Sequence, residues 1–380
     1  MPNQLRSETF NKLAILNTLQ DNFTFNKTID FYQKDLDTIS VSNSSQERWE
    51  GGVLAPNGKI YGMPAAGNTT AYVLEIDPTS GTTTTISVSN LSQEKWRGGV
   101  LAHNGKIYGM PAAGNTTAYV LEIDPTSGTT TTISVSNSSG EAWAGGVLAP
   151  NGKIYGMPVS GNTTVHVLEI DPTSGTANTT ISVSNLSGEL WAGGVLAPNG
   201  KIYGMPVSGN TTVHVLEIDP TSGTTTTISV PNLSGEVWYG GVLAPNGKIY
   251  GIPGTSNTTV YVLEIDPTSG TNTTISVSNS SQEQWFGGVL ARNGKIYGMP
   301  VSGNTTVHVL EIDPTSGIAN TTISVPNSSG EVWAGGVLAP NGKIYGMPAS
   351  GTNPSHVLEF SRTFPPLMND WILYPQFNKF

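Results

Sequence analysis

The chain has 380 residues, 37% of them apolar and only 12% charged, with 45 glycines, 25 prolines and no cysteine. That composition excludes a disulfide framework, thiolate metal sites and cysteine nucleophiles, and the glycines lack the Gly-X-Y period of collagen. The formal charge of −10, from 27 acidic and 17 basic residues, argues against a duplex nucleic-acid footprint. No apolar run approaches the ~20 residues that span a bilayer.

Residues 1–33 form a flank distinct from everything that follows. Ser7-Glu8-Thr9-Phe10 followed by Leu13, Ile15, Leu16 and Leu19 predicts an amphipathic helix of about three turns. An aromatic-rich stretch comes next, with Phe23, Phe25, Ile29, Phe31 and Tyr32. No signal-peptide core follows Met1-Pro2-Asn3-Gln4-Leu5-Arg6, so the expectation is a cytoplasmic product or a virion component. A β-branched strand, Asp37-Thr38-Ile39-Ser40-Val41, then leads into a repeat.

The repeat is marked by Trp49, Trp96, Trp143, Trp191, Trp238, Trp285 and Trp333, spaced 47 or 48 residues apart. Each tryptophan is followed by one variable residue and Gly-Gly-Val-Leu-Ala, and each unit continues Asn-Gly-Lys-Ile-Tyr-Gly and Val-Leu-Glu. In the first unit, short apolar segments bounded by turn residues predict strands at 51–55, 59–63, 71–77 and 82–88. Asp77-Pro78-Thr79-Ser80-Gly81 is a turn by its chemistry: Asp accepts backbone bonds, Pro presets φ and Gly tolerates φ > 0. No helical period survives the Gly and Pro breaks, which excludes helical solenoids.

Four antiparallel strands per ~47 residues make a propeller blade, and seven units fall in the usual blade range. A single unit has too little core to fold alone, whereas radial packing lets each twisted sheet cover its neighbour. The last unit has strands near 335–339, 343–347 and 355–360 but no Thr-Ile-Ser-Val strand; that strand stands at 37–41 instead. The expected fold is therefore all-β, a seven-bladed β-propeller of four-stranded antiparallel blades over 34–360. The N-terminal strand closes the last blade and removes the free edges. Residues 361–380 form an aromatic-rich tail with Phe364, Trp371, Tyr374, Phe377 and Phe380. Whether the two flanks pack on the ring or anchor it to another subunit stays open.

The chemistry-bearing residues come in symmetric sets. His166, His214, His308 and His356 share one third-strand position with Tyr72, Tyr119 and Tyr261, which suits an amphipathic ring at an interface and not a metal set. Seven equivalent glutamates (Glu75 and its repeats) and seven lysines (Lys59 and its repeats) are expected to pair, and the aspartates to cap turns. Glycoside hydrolysis needs two unlike carboxylates in one cleft, and identical copies offer none. No catalytic residue, cofactor or metal site is expected.

Asymmetry gathers beside the tryptophans. The residue after Trp is Glu50, Arg97, Ala144, Ala192, Tyr239, Phe286 or Ala334. Glu50 and Arg97, opposed to Tyr239 and Phe286, define a candidate partner or ligand rim together with Trp49, Trp96, Trp238 and Trp285. These tryptophans are either blade core or platforms for sugar stacking.

With Gly51-Gly52, Tyr61 and Trp96 as its markers, the pattern over 38–360 resembles the β-propeller superfamily, in particular kelch-like and lectin-type propellers. The resemblance implies scaffolding, glycan binding or, less often, catalysis. The reading put first is a non-enzymatic structural or interaction module, such as a component of a viral particle or surface appendage. Its protein partners, a second copy of the chain among them, would be engaged through the flanks. A multivalent carbohydrate-binding propeller stands second, and a hydrolase or lyase with an unrecognised site third.

Overall fold

The computed structural model describes residues 36–361 except for 42–46, 67–69, 90–92, 114, 116, 137–139, 161–163, 185–187, 208–211, 232–234, 256, 280–281, 302–305, 328–329 and 351–354. All its strands belong to one compact unit, Asp35–Thr363. The helix expected near residues 7–19, and the apolar flanks at both ends, lie outside the described residues. No helix among the described residues is long and apolar enough to cross a membrane.

The chain opens with β1 (Leu36–Val41), followed by a four-stranded antiparallel sheet of β2 (Trp49–Leu54), β3 (Ile60–Pro64), β4 (Thr70–Asp77) and β5 (Thr82–Ser89). Register within that sheet sets Val53 opposite Tyr61, Tyr61 opposite Glu75 and Val73 opposite Ile86. The same order recurs five more times along the chain, and the last sheet draws on Trp333–Leu338, Lys343–Pro348 and Ser355–Ser361. Its fourth strand is β1, paired antiparallel from Leu36↔Phe360 to Val41↔Ser355. The sequence-expected closure is therefore present, and the edge that Ser355–Ser361 would expose is covered.

Local chemistry explains the turns. At the β2–β3 hairpin Gly58 adopts φ +81° and its N–H donates to Ala55, while the Asn57 side chain accepts the Lys59 N–H at 3.0 Å. After β4, Asp77 Oδ1 accepts the N–H groups of Thr79 and Ser80 at 2.8 and 3.2 Å. The first strand starts two residues earlier than its sequence suggests, at Trp49 and not Gly51. A bulge makes the difference: register jumps from Trp49↔Pro64 to Gly52↔Gly62, so one extra residue, Gly51 at φ +80°, is accommodated.

The core lies between sheets as much as within them. Val53, Tyr61, Met63 and Val73 of the first sheet pack with Trp96, Ile107, Leu121 and Ile123 of the second. Val337, Tyr345 and Met347 of the last sheet pack with Trp49, Ile60 and Leu74 of the first, with β1 contributing Val41. The glycine pair makes this approach possible. A Cβ on Gly51 would sit 2.8 Å from the Gly98 Cα, and equivalent contacts run through Gly145, Gly193, Gly240, Gly287 and Gly335 back to Gly51. The second glycine of each pair receives a side chain from the preceding sheet. Met63 meets Gly99 and Gly109, and so on to Met347 against Gly52 and Gly62; Ile252 takes the methionine's place in the fifth sheet.

Candidate functional site

The tryptophans are structural pins. Trp49, Trp96, Trp238 and Trp285 are at most 1% exposed. The Trp49 indole N–H donates to the Tyr72 carbonyl at 2.6 Å, and the other three make the equivalent bond to Tyr119, Tyr261 and His308. With ring and N–H both committed, each indole fixes the backbone on either side of it. The residue just before is also held by its carbonyl, which accepts from the end of the second strand: Ala65 to Arg48 and Ala112 to Lys95, both at 2.7 Å.

On that fixed frame the positions after Trp stand side by side. Glu50 is bridged to Arg97 on one flank and to Ala334 on the other by parallel pairing. Glu50 and Arg97 form an ion pair with an N–O distance of 2.8 Å. Burial raises the Glu50 carboxyl above its usual value, against the pull of Arg97, Arg48 and Lys95. Tyr239 and Phe286 stack at 4.8 Å between centroids with planes 19° apart. Ala144, Ala192 and Ala334 are buried and fill the positions between. Tyr239 has room because Gly254 follows Pro253 where other sheets carry alanine or valine; a Cβ there would lie 2.2 Å from the tyrosine ring. The sequence-selected quartet is thus two contacting pairs, one charged and one aromatic, above a tryptophan layer.

Beneath this end lies a set of buried glutamates two residues before each Trp. Glu141, Glu189, Glu283 and Glu331 each accept from the Nδ1 side of the third-strand histidine, at 2.8–3.0 Å. In the second sheet tyrosine replaces histidine, and Glu94 accepts from the backbone N–H groups of Ala113 and Tyr119 and from the Asn115 amide. The Tyr119 bond matches those from the His166, His308 and His356 N–H groups to their glutamates. Burial raises the carboxyls of Glu94, Glu236 and Glu283. The sequence gives no sign of the Glu–His pairing, because the glutamate is present whether its partner position is His or Tyr.

At the opposite end, every repeat lysine meets its glutamate, as Lys59 does with Glu75 at 2.6 Å. Asn57 donates to the Tyr61 hydroxyl and, across the junction, to the Pro125 carbonyl of the next sheet. Burial pushes the Tyr61 phenol up to about 12. A shallow depression lined by Asn151, Lys153, Tyr155 and Glu169 lies at one such junction, facing Pro220 and Thr221. Its polar groups bond one another. Among the described residues no group of three or more His, Asp or Glu side chains could hold a metal ion.

Residues 134–284 match a family described as "Repeat of unknown function (DUF6923)", which covers less than half of the chain. No curated protein matches the chain. Two structures of the extracellular domain of BT4673 from B. thetaiotaomicron, described as a putative hybrid two component system in one case and a putative one component system in the other, are similar, with TM-scores of 0.62 and 0.59 at 12% and 11% identity. Each comparison covers 87% of this chain but only 43% and 40% of the other, so the chain spans less than half the length of that domain. A structure of YCF48 bound to D1 peptide aligns with 85% of this chain and 96% of its own, at TM-score 0.59 and 8% identity. At such identities the likeness concerns the fold alone.

Proposed function

We propose that the protein is a non-enzymatic interaction module built as a seven-bladed β-propeller, carried in a larger assembly by its two apolar flanks. The observation behind this reading is that the strands that close the sheets begin at Leu36 and end at Ser361, and the aromatic-rich flanks 1–33 and 362–380 lie outside them in sequence. Flanks that rich in aromatic residues carry a large apolar surface to bury. The rim of Glu50, Arg97, Tyr239 and Phe286 over Trp49, Trp96, Trp238 and Trp285 is a second partner surface in this reading. Here seven near-copies differ by charge and aromatic character at a common position. The similarity to a structure solved with a peptide bound supports a polypeptide partner.

The test is the native mass of the full chain against a chain beginning at residue 34. An oligomer that falls to a monomer without the flank is the expected result. A full-length monomer would remove flank-driven self-assembly.

A further inference from the structure

Among the described residues only four basic side chains stand outside the repeated lysines: Arg48, Lys95, Arg97 and Arg292. All seven repeated lysines are neutralised by their glutamates. Arg292 sits in a hairpin at the opposite end and donates to the Pro340 carbonyl at 2.5 Å. The remaining three converge on one spot of a chain whose net charge is −10, close enough that all three bear on the Glu50 carboxyl. Arg48 and Lys95 are exposed, and the carboxylate facing them is Glu50, already paired to Arg97. Glu47 and Glu94 are buried, and Glu94 accepts from two backbone N–H groups and the Asn115 amide of its own sheet. At the equivalent positions of the other five sheets stand Ala142, Leu190, Val237, Gln284 and Val332, all uncharged.

We infer that this rim binds an acidic, aromatic-bearing polypeptide segment, with a carboxylate on Arg48, Lys95 and Arg97 and an aromatic side chain against the Tyr239–Phe286 stack. The inference rests on the interaction-module reading and gives its partner a chemistry. Arginine and lysine offer a carboxylate charge-assisted donors. A stacked, half-buried Tyr–Phe pair presents rigid apolar area that an aromatic or aliphatic side chain covers at low entropic cost. A long polyanion such as nucleic acid is disfavoured, because only three cations gather here on a chain of net charge −10. A small aromatic acid needs an enclosing pocket, whereas the two halves of this rim are separated by Ala144 and Ala192 on one side and Ala334 on the other. An extended chain spans such a gap.

The experiment selects a displayed library of random dodecapeptides on the immobilised full-length protein. Enriched peptides are then measured by fluorescence anisotropy on the parent, on Arg48→Ala/Lys95→Ala and on Phe286→Ala. Those variants leave the Glu50–Arg97 pair intact, and an unchanged thermal midpoint certifies each one as folded. Expected is enrichment of peptides joining Asp or Glu to Phe, Tyr or Trp. Their affinity should drop about tenfold in the double variant with loss of salt dependence, and about tenfold in Phe286→Ala with salt dependence kept. Enrichment of basic or uncharged peptides overturns the inference, as does the absence of any enriched peptide. Acidic-aromatic peptides that bind both variants as tightly as the parent overturn it too, while leaving an interaction module with its surface elsewhere. The native-mass measurement decides the flank-driven assembly independently of all three results.

Discussion

The glycines after each tryptophan carry two separate constraints, and two substitutions separate them. Gly51 and Gly58 have nearly the same backbone, φ +80° and +81°, so an alanine at either meets the same left-handed strain of about 1–2 kcal/mol. Their surroundings differ completely: nothing lies within 4 Å of a Cβ on Gly58, whereas one on Gly51 meets the Gly98 backbone at 2.8 Å. Backbone atoms cannot swing aside as a side chain would. Urea unfolding of Gly51→Ala should therefore show an extra loss of roughly 1–3 kcal/mol over Gly58→Ala, the usual cost of overpacking. Equal losses would mean that the closely spaced first strands yield easily. At the rim the same logic runs in reverse, for Gly254 exists in the space that Tyr239 fills.

Among the described strands, β1 is the one that completes its sheet from the far end of the chain. Val41 is buried against Val357 and Met347, and every residue of β1 has a partner in Ser355–Ser361. A chain beginning at residue 42 should expose that strand's hydrogen-bonding edge, unfold at lower temperature and self-associate on a sizing column; a chain beginning at 34 should keep the parent's thermal midpoint. An unchanged midpoint after removal of β1 would show that the seventh sheet is stable with three strands. This closure was legible in the sequence because one strand missing at the end reappears at the beginning. The four-strand unit was legible because Asn57-Gly58 and Asp77-Pro78 are turn chemistry that fixes strand ends by itself. The charged and aromatic pairs of the rim were legible as departures from a repeated pattern. The methionine that enters the glycine pair of the next sheet was not, because that contact joins two units and six of the seven units carry the same residue there. The bulge at Gly51 escaped for a related reason: a Gly-Gly pair reads as a strand end until the partner strand's register is known.

For the whole molecule, the two ends of the sheets respond oppositely to pH. At one end burial raises Glu75, Glu217 and Glu264, but hydrogen bonds from the paired lysine and tyrosine outweigh it and hold them below the usual value. Backbone N–H groups do the same for the turn aspartates, such as Asp77. Such groups stabilise the fold above their unfolded pKa, and that contribution is lost as pH falls through the lower folded value. At the other end burial raises Glu50, Glu94, Glu236 and Glu283. The unfolded chain ionises these first, so stability is lost as pH climbs from the unfolded to the folded value. Thermal midpoints measured from acid to neutral pH should pass through a maximum close to the ordinary glutamate value of 4.5 and fall on either side of it. A midpoint that only falls as the solution is acidified from neutrality would assign the buried glutamates no part in stability.

The sulfur atoms set against the glycine pairs make the junctions chemically readable. Met63, Met110, Met157, Met205, Met299 and Met347 have no exposed surface, so peroxide reaches a thioether only while its junction is open. Once formed, a sulfoxide is too polar to return to its seat between two sheets. Oxidation rates resolved by peptide mass mapping would then time the opening of each seam in turn. The seam sealed by Ile252 carries no thioether of this set and stays silent in that record.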